Sequence, residues 1–286
     1  LEGAFLSEYM MLLSSLFMLY LVGLADDLIG VGYKFKFVVQ IVAASLILYT
    51  GIQPHSFAGV LGIWEVPSFV SGVFAVILFV LMVNAYNLID GVDGLCSGLS
   101  MLALVTLSVL FVIIGLYVYA IMALAMAGIV LAFFIYNVSR RRLKIFMGDT
   151  GSLTLGFLIT FLCMKFIELQ TDQEAIETVI KEPIALAIGM VFVPIFDTIR
   201  VFATRIKNKK SPFHPDKIHI HHKLLELGLN HRLNTLTIIL AQLCIILVNL
   251  VTSQCLEWNI NLIILTDIVI AVAIMISIEI KIKLKK

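Results

Sequence analysis

Apolar runs about as long as a membrane is thick recur from one end of this chain to the other. A hydrocarbon core of ~30 Å is crossed by ~20 residues of helix. Nine stretches reach or approach that length: 6–25, 35–50, 67–89, 97–114, 116–137, 151–168, 183–204, 235–252 and 260–280. A chain of 286 residues could hold two globular domains, but these runs leave no room for one. The expected fold is therefore all-α, a polytopic helical membrane bundle forming a single domain over 1–286. With 61% apolar and 14% charged residues, a soluble class is excluded. The second stretch is short, which suits a tilted, broken or partly interfacial helix. Gly51 to Pro67 alternates loosely around Trp64 and reads as a short interfacial hairpin. Thr171-Asp-Gln-Glu174 has the form of a capping box opening a short helix that Pro183 ends.

Charge then orients the bundle. Threading nine segments alternately leaves only Lys165 and Lys181 on one side, so 18 of the 20 Lys and Arg share the other. The basic-rich side is expected to be cytoplasmic. The acids divide too: seven of the nine Asp fall on the basic side and eight of the ten Glu on the opposite one. Solvation alone gives no reason for short carboxylates to gather at one face. A site holding oxygen atoms rigidly around a cation does, because Asp has one fewer rotatable bond than Glu. Asp267, near the middle of the last segment, belongs to no cluster. The four Cys show no paired spacing and read as small core residues. The chain opens on Leu1 without a signal-peptide pattern, so it is expected to lack its natural N-terminus.

Four stretches carry chemistry. In NAYNLIDGVDGL (84–95), a persisting helix would put Asn84, Asn87, Asp90 and Asp93 at i, i+3, i+6 and i+9, close to one face. Gly91 and Gly94 leave room for a ligand or another backbone. A solvated helix face is the bland reading. At the mouth of a membrane segment, where ionisable groups are costly, the functional one is preferred. In LADDLIG (24–30), Asp26 and Asp27 are held together only if a cation or proton offsets their repulsion; the alternative is a helix-end cap. Lys36, one turn before Gln40, is either an interfacial snorkel or a phosphate holder. In FMGDTGSLTLG (146–156), Asp149 or Thr150 reads as an N-cap, or as a metal ligand at a helix end whose N–H groups face a phosphate.

The fourth stretch, SPFHPDKIHIHHKLLELG (211–228), packs four His into nine residues. Zinc is its rival reading, since alternating His can chelate it. No Cys lies near, and the other acidic clusters suit a harder ion. Mg²⁺, with Mn²⁺ as a substitute, takes oxygen ligands and commonly binds through one or two carboxylates plus substrate phosphates. Together the residues describe a Mg²⁺-dependent phosphoryl-transfer site at the membrane surface, reached sideways by an apolar substrate. Its expected cytoplasmic loops are 26–34, 84–97, 138–151 and 201–234. A transporter or flippase is the rival class, and it predicts mid-membrane charge, broken helices and an inverted repeat.

These motifs, in this order and with FDTIR (196–200) ahead of the His loop, resemble the polyprenyl-phosphate N-acetylhexosamine-1-phosphate transferases. His219-Ile-His221-His222 is similar to the amino-sugar branch that starts bacterial surface polysaccharides. The muramyl-pentapeptide branch, the alternative, tends to carry three consecutive His. The resemblance implies transfer of a sugar 1-phosphate from a UDP-N-acetylhexosamine, N-acetylglucosamine first, to undecaprenyl phosphate with release of UMP, at the bacterial inner membrane. It implies Mg²⁺ on Asn87 and Asp149. Asp93 would contact uridine and Lys36 phosphate, while Asn84, His219, His221 and His222 would lie at the substrate. Asp26, Asp27 and Asp90 would be the catalytic acids. Expected partners are the bilayer and a second copy of the chain, with no nucleic acid. Members of that family begin about two helices earlier, with a cytoplasmic loop that helps form the site, so this chain is expected to be an incomplete and inactive piece.

Overall fold

The computed structural model describes residues 2–139, 144–172, 180–212 and 216–285. Its elements are α1 (Glu2–Ile29), α2 (Tyr33–Tyr49), the strands β1 (Ser56–Val60) and β2 (Ile63–Glu65), α3 (Ser68–Ile89), α4 (Leu95–Ile113), α5 (Tyr117–Asn137) and α6 (Gly148–Asp172). They continue with α7 (Pro183–Met190), α8 (Phe192–Lys207), the short α9 (Ile220–Glu226), α10 (His231–Leu250) with a π-helical turn at Val251–Cys255, and α11 (Ile260–Lys285). Chain direction alternates between two ends of one bundle, as the apolar segmentation requires.

Among the described residues, seven helices are long and apolar enough to cross a membrane, and the pair α7–α8, bent by 70°, makes eight when taken as one span. The nine spans expected are not all reached. The 17 residues of α2 rise only about 26 Å, short of a ~30 Å core. The protein is nonetheless a multi-pass membrane protein, with large apolar side chains such as Phe17, Ile77, Ile121 and Val269 exposed around its girth.

Helix α6 is the most enclosed span, packed against α1, α3 and α4. Small residues set how closely it is approached. A Cβ on Gly23 of α1 would lie 2.6 Å from the Thr150 Cα, so only glycine lets the two backbones meet there. The bend between α7 and α8 is held by Gln242 of α10. Its side-chain oxygen accepts the Val193 N–H at 2.9 Å, and its amide donates to the Gly189 carbonyl. Two turns along the same buried face, Asn249 donates to Asp267 at 2.9 Å and to the Ala185 carbonyl at 3.2 Å. Asp267 thus has a partner deep in the bundle that the sequence did not reveal.

At the far end from the acidic motifs, the expected hairpin is present as antiparallel β1 and β2, tied to α11 by Asn261 through Gly59 and Leu61. Beside it, Glu8 of α1, only 7% exposed, accepts from the Tyr119 hydroxyl at 2.6 Å and pairs with Lys165 at 2.9 Å. Lys165 also pairs with Glu168 at 2.9 Å. The capping box at Thr171 is corrected: Thr171 lies within α6, and the remainder of the short helix expected there falls outside the described residues.

Candidate active site

The ends of α1, α3 and α6 and the start of α2 meet at one end of the bundle. Asp149, in the first turn of α6, accepts the Asn87 amide at 2.8 Å on one oxygen and the Lys36 ammonium at 2.8 Å on the other. Lys36 also pairs with Asp26 at 3.1 Å, and Asn87 reaches Ser152 at 3.0 Å. One cation thus sits between two carboxylates, and the one on α6 comes from 113 positions further along the chain than Lys36 itself. Asp26 uses its second oxygen to accept the Val31 N–H at 2.7 Å, which fixes the turn into α2.

Asp27 does something else. Its oxygens accept the backbone N–H groups of Asp149 and Thr150 at 2.9 and 3.0 Å and the Thr150 hydroxyl at 2.6 Å. It therefore caps the N-terminus of α6 from another helix, satisfying donors the helix leaves open. Gly148 makes this feasible: φ is +63°, and any Cβ there would meet the Asp27 oxygens at 2.6–2.8 Å. Neither Asp149 nor Thr150 is the cap that the sequence suggested, and Asp149 is left free to face Lys36.

The four-residue helical face expected in NAYNLIDGVDGL is also corrected. Helix α3 ends at Ile89, Asp90 follows as its C-cap, and Gly94, at φ +77°, turns the chain into α4. The side chains consequently diverge. Asn84 donates to Gln40 and to the Val80 carbonyl, both at 2.7 Å, and so joins α3 to α2. Asp93 pairs instead with Lys144 at 2.5 Å. Asp90 stays near Asp149, Asp27 and Asp93. Burial first, and then those three carboxylates, push its pKa up to about 7 against a stabilising N–H from Gly148.

The His loop packs behind this turn. His219 Nδ1 lies 2.8 Å from Asp197, whose other oxygen accepts Arg200 at 2.6 Å and the Ile220 N–H at 3.0 Å. Asp197 and Arg200, at i, i+3 in FDTIR, organise the loop. Neither role is legible in FDTIR itself, because both depend on where the His loop folds back. His221 is 1% exposed, stacked on His219 at 5.6 Å, and its Nε2 would be 2.7 Å from a Cβ on Gly91. Burial, with His222 and His219 beside it, lowers its pKa to about 4, so it packs as a neutral ring. His222, partly exposed, is lowered too, by burial and then by His219 and Lys217. His214, the remaining His of the stretch, lies outside the described residues. Arg205 forks onto Asp216 at 2.8 and 2.9 Å and closes the base of the loop.

A family model described as glycosyl transferase family 4 matches residues 9–167, more than half of the chain and every site residue named above from Asp26 to Asp149. The chain belongs to glycosyl transferase family 4. Among curated relatives of this family 4 chain is a probable undecaprenyl-phosphate N-acetylglucosaminyl 1-phosphate transferase of Bacillus subtilis, 34% identical over 78% of this chain and 60% of its own length. A decaprenyl-phosphate N-acetylglucosaminephosphotransferase of Mycobacterium leprae is 31% identical, covering 74% of this chain and 56% of the relative. An undecaprenyl-phosphate alpha-N-acetylglucosaminyl 1-phosphate transferase of Salmonella typhi is 30% identical, covering 75% and 57%. The family 4 chain thus spans somewhat over half the length of these relatives.

Two features of the family 4 site escaped the sequence reading. Phe146 is 75% exposed beside Asp93, with the Lys144 ammonium 5.0 Å from its ring centroid. The other is a cleft of about 290 Å³ lined by Phe37, Ile41, Val76, Val80, Asn84 and Phe202, apolar apart from Asn84. It lies between α2, α3 and α8, and Asn84, its one polar lining residue, is one helical turn before Asn87.

Proposed function

We propose that the whole protein transfers a sugar 1-phosphate, N-acetylglucosamine 1-phosphate first, from a UDP-sugar to undecaprenyl phosphate at the cytoplasmic face of a bacterial inner membrane. One observation carries this reading: the Asp26–Lys36–Asp149–Asn87 cluster adjoins an apolar cleft whose lining includes Asn84, one helical turn before Asn87, and Phe37, next to Lys36 in α2. That is where a lipid tail in the bilayer would bring its phosphate. In the reaction a lipid-phosphate oxygen attacks the sugar-bearing phosphorus of the donor. The bond from that phosphorus to the bridging oxygen breaks, and UMP leaves with the oxygen.

The residues divide this work. Lys36 offers its ammonium to phosphate oxygens once it is drawn from Asp26 or Asp149. Asp27 keeps the first N–H groups of α6 oriented, and Asp26 fixes the α1–α2 turn. Asp90 has no cation partner among the described residues and titrates near neutrality, which suits it to take a proton from the lipid phosphate. Asp93, Lys144 and the open face of Phe146 form a surface suited to the uracil ring, while His222 and Lys217 bring donors towards the diphosphate.

The donor set fits Mg²⁺. Asn87 and Asp149 offer oxygen ligands from facing helices, and no three His, Cys, Asp or Glu among the described residues form a cage of their own. An ion that keeps its waters and binds through substrate phosphates needs no such cage. Bound there, it would neutralise charge building on the diphosphate.

The deciding experiment measures UMP release by the full-length protein with undecaprenyl phosphate and a panel of UDP-sugars. UMP release that requires both substrates is expected, and release indifferent to the lipid overturns the reading. The 70° break at α7–α8 and the buried Asp267–Asn249 pair favour a second reading, a transporter. That reading predicts substrate flux into proteoliposomes with no UMP formed.

A further inference from the structure

The first turn of α10 does more than begin a helix. Its N-cap is Asn230, whose side chain accepts the Leu233 N–H at 2.9 Å, so the helix start is already satisfied. Past the exposed His231, Arg232 and Leu233, two polar residues are nevertheless buried, Asn234 at 0% and Thr235 at 4% exposure. Threonines inside helices usually bond back to the carbonyl four residues earlier, as Thr237 does to Leu233 at 2.7 Å. Thr235 instead donates to the carbonyl of Asp93 at 2.7 Å. Asn234 donates to the carbonyl of His221, also at 2.7 Å. Adjacent residues therefore grip two loops far apart in sequence, and the His221 ring resting on Gly91 closes the same junction from the other side.

We propose that Asn234 and Thr235 are positioning residues. They form one clasp that fixes the spacing between the Asp93 turn and the His219–His222 loop, and so govern how the nucleotide-sugar donor is held. The inference rests on the transfer reading for its consequence and on the hydrogen bonds alone for its mechanics. Neither side chain reaches the Lys36–Asp149–Asn87 cluster, so loss of the clasp acts on donor binding before it acts on the bond-breaking step. Removing one buried hydrogen bond weakens the held geometry by an amount worth about tenfold in binding.

The test uses full-length Thr235→Val, Thr235→Ser, Asn234→Ala and the double variant, with Thr237→Val as a control on the same helix. Thr235→Val and Asn234→Ala should each raise KM for UDP-N-acetylglucosamine about tenfold while kcat stays within about threefold. The double variant should be little worse than either single one, because a unit broken once is already broken. Thr235→Ser, which keeps the hydroxyl, should return KM to within about twofold of wild type. A fall in kcat at unchanged KM, or a serine variant as impaired as the valine one, overturns the proposal. Backbone hydrogen exchange over 90–95 and 218–222, without substrate, tests the mechanics separately. Both segments should exchange faster in either single variant. Loosening only of the segment that lost its own bond overturns the clasp. Should the wild-type protein release no UMP, the transfer reading fails, and the exchange measurement still decides whether the clasp exists.

Discussion

Asp27 and Asp149 are both short acids beside a glycine, yet the structure gives them opposite duties. Asp27 spends both oxygens on the α6 terminus, whereas Asp149 turns its oxygens to Lys36 and Asn87. Asp149→Asn should therefore lower transfer by more than tenfold, over about 1.4 kcal/mol of barrier, with thermal unfolding in detergent nearly unchanged. Asp27→Ala should lose about 1 kcal/mol of stability as a lost cap does, visible as a lower unfolding midpoint. An Asp149→Asn variant that unfolds early while Asp27→Ala does not would reverse the assignment. Gly91→Ala adds a single methyl, but that methyl meets the His221 ring at 2.7 Å, and activity should fall sharply while Gly128→Ala, with nothing within 4 Å and an ordinary helical backbone, leaves the cluster undisturbed. His221 also makes a pH prediction. Its pKa is about 4 in the fold against 6.5 unfolded, with His219, His222 and Asp197 around it. Between those values the unfolded chain binds the extra proton, so stability present above pH 6.5 is lost as pH falls towards 4. The full effect is on the order of 3 kcal/mol. Unfolding midpoints of wild type and His221→Gln, compared at pH 7.5 and 5, should converge or cross at the lower pH.

Elements were more legible than their junctions. The apolar runs located the spans because a membrane enforces length, and Leu61-Gly62 turned the hairpin expected around Trp64. Asn84 to Asp93 share no helical face because α3 stops at Ile89, before Gly91, and the chain turns at Gly94 into α4. Contacts such as Lys36 with Asp149, or Thr235 with Asp93, link segments that no local pattern relates. The α7–α8 bend was hidden for the same reason: its open N–H and C=O are satisfied by Gln242, which in sequence is one polar residue in an apolar run. Gln242→Leu should strand both groups and cost about 2 kcal/mol, more than the Thr237→Val control on the same helix, read as a drop in unfolding midpoint.

For the molecule as a whole, the two ends are chemically distinct. One gathers most of the aspartates, the His loop and most of the described cations. The other holds Lys165 inside an enclosed network with Glu8, Tyr119 and Glu168, and Lys181 against Glu257. Single cysteines at Lys209 and Glu257 in a cysteine-free background should react with a membrane-impermeant reagent from opposite sides of the membrane, Glu257→Cys from outside the cell. Reaction of both from one side would refute the threading. The trans cap on α6 also has a bearing on biosynthesis. The carboxylate that completes this helix is made 122 residues before the amides it serves. While the ribosome is still adding the intervening helices, Asp27 waits without those amides at the end of α1, and the future α6 has no lid for its opening turn. The centre cannot be assembled piecemeal as segments enter the bilayer; it appears only when α6 arrives and docks on α1.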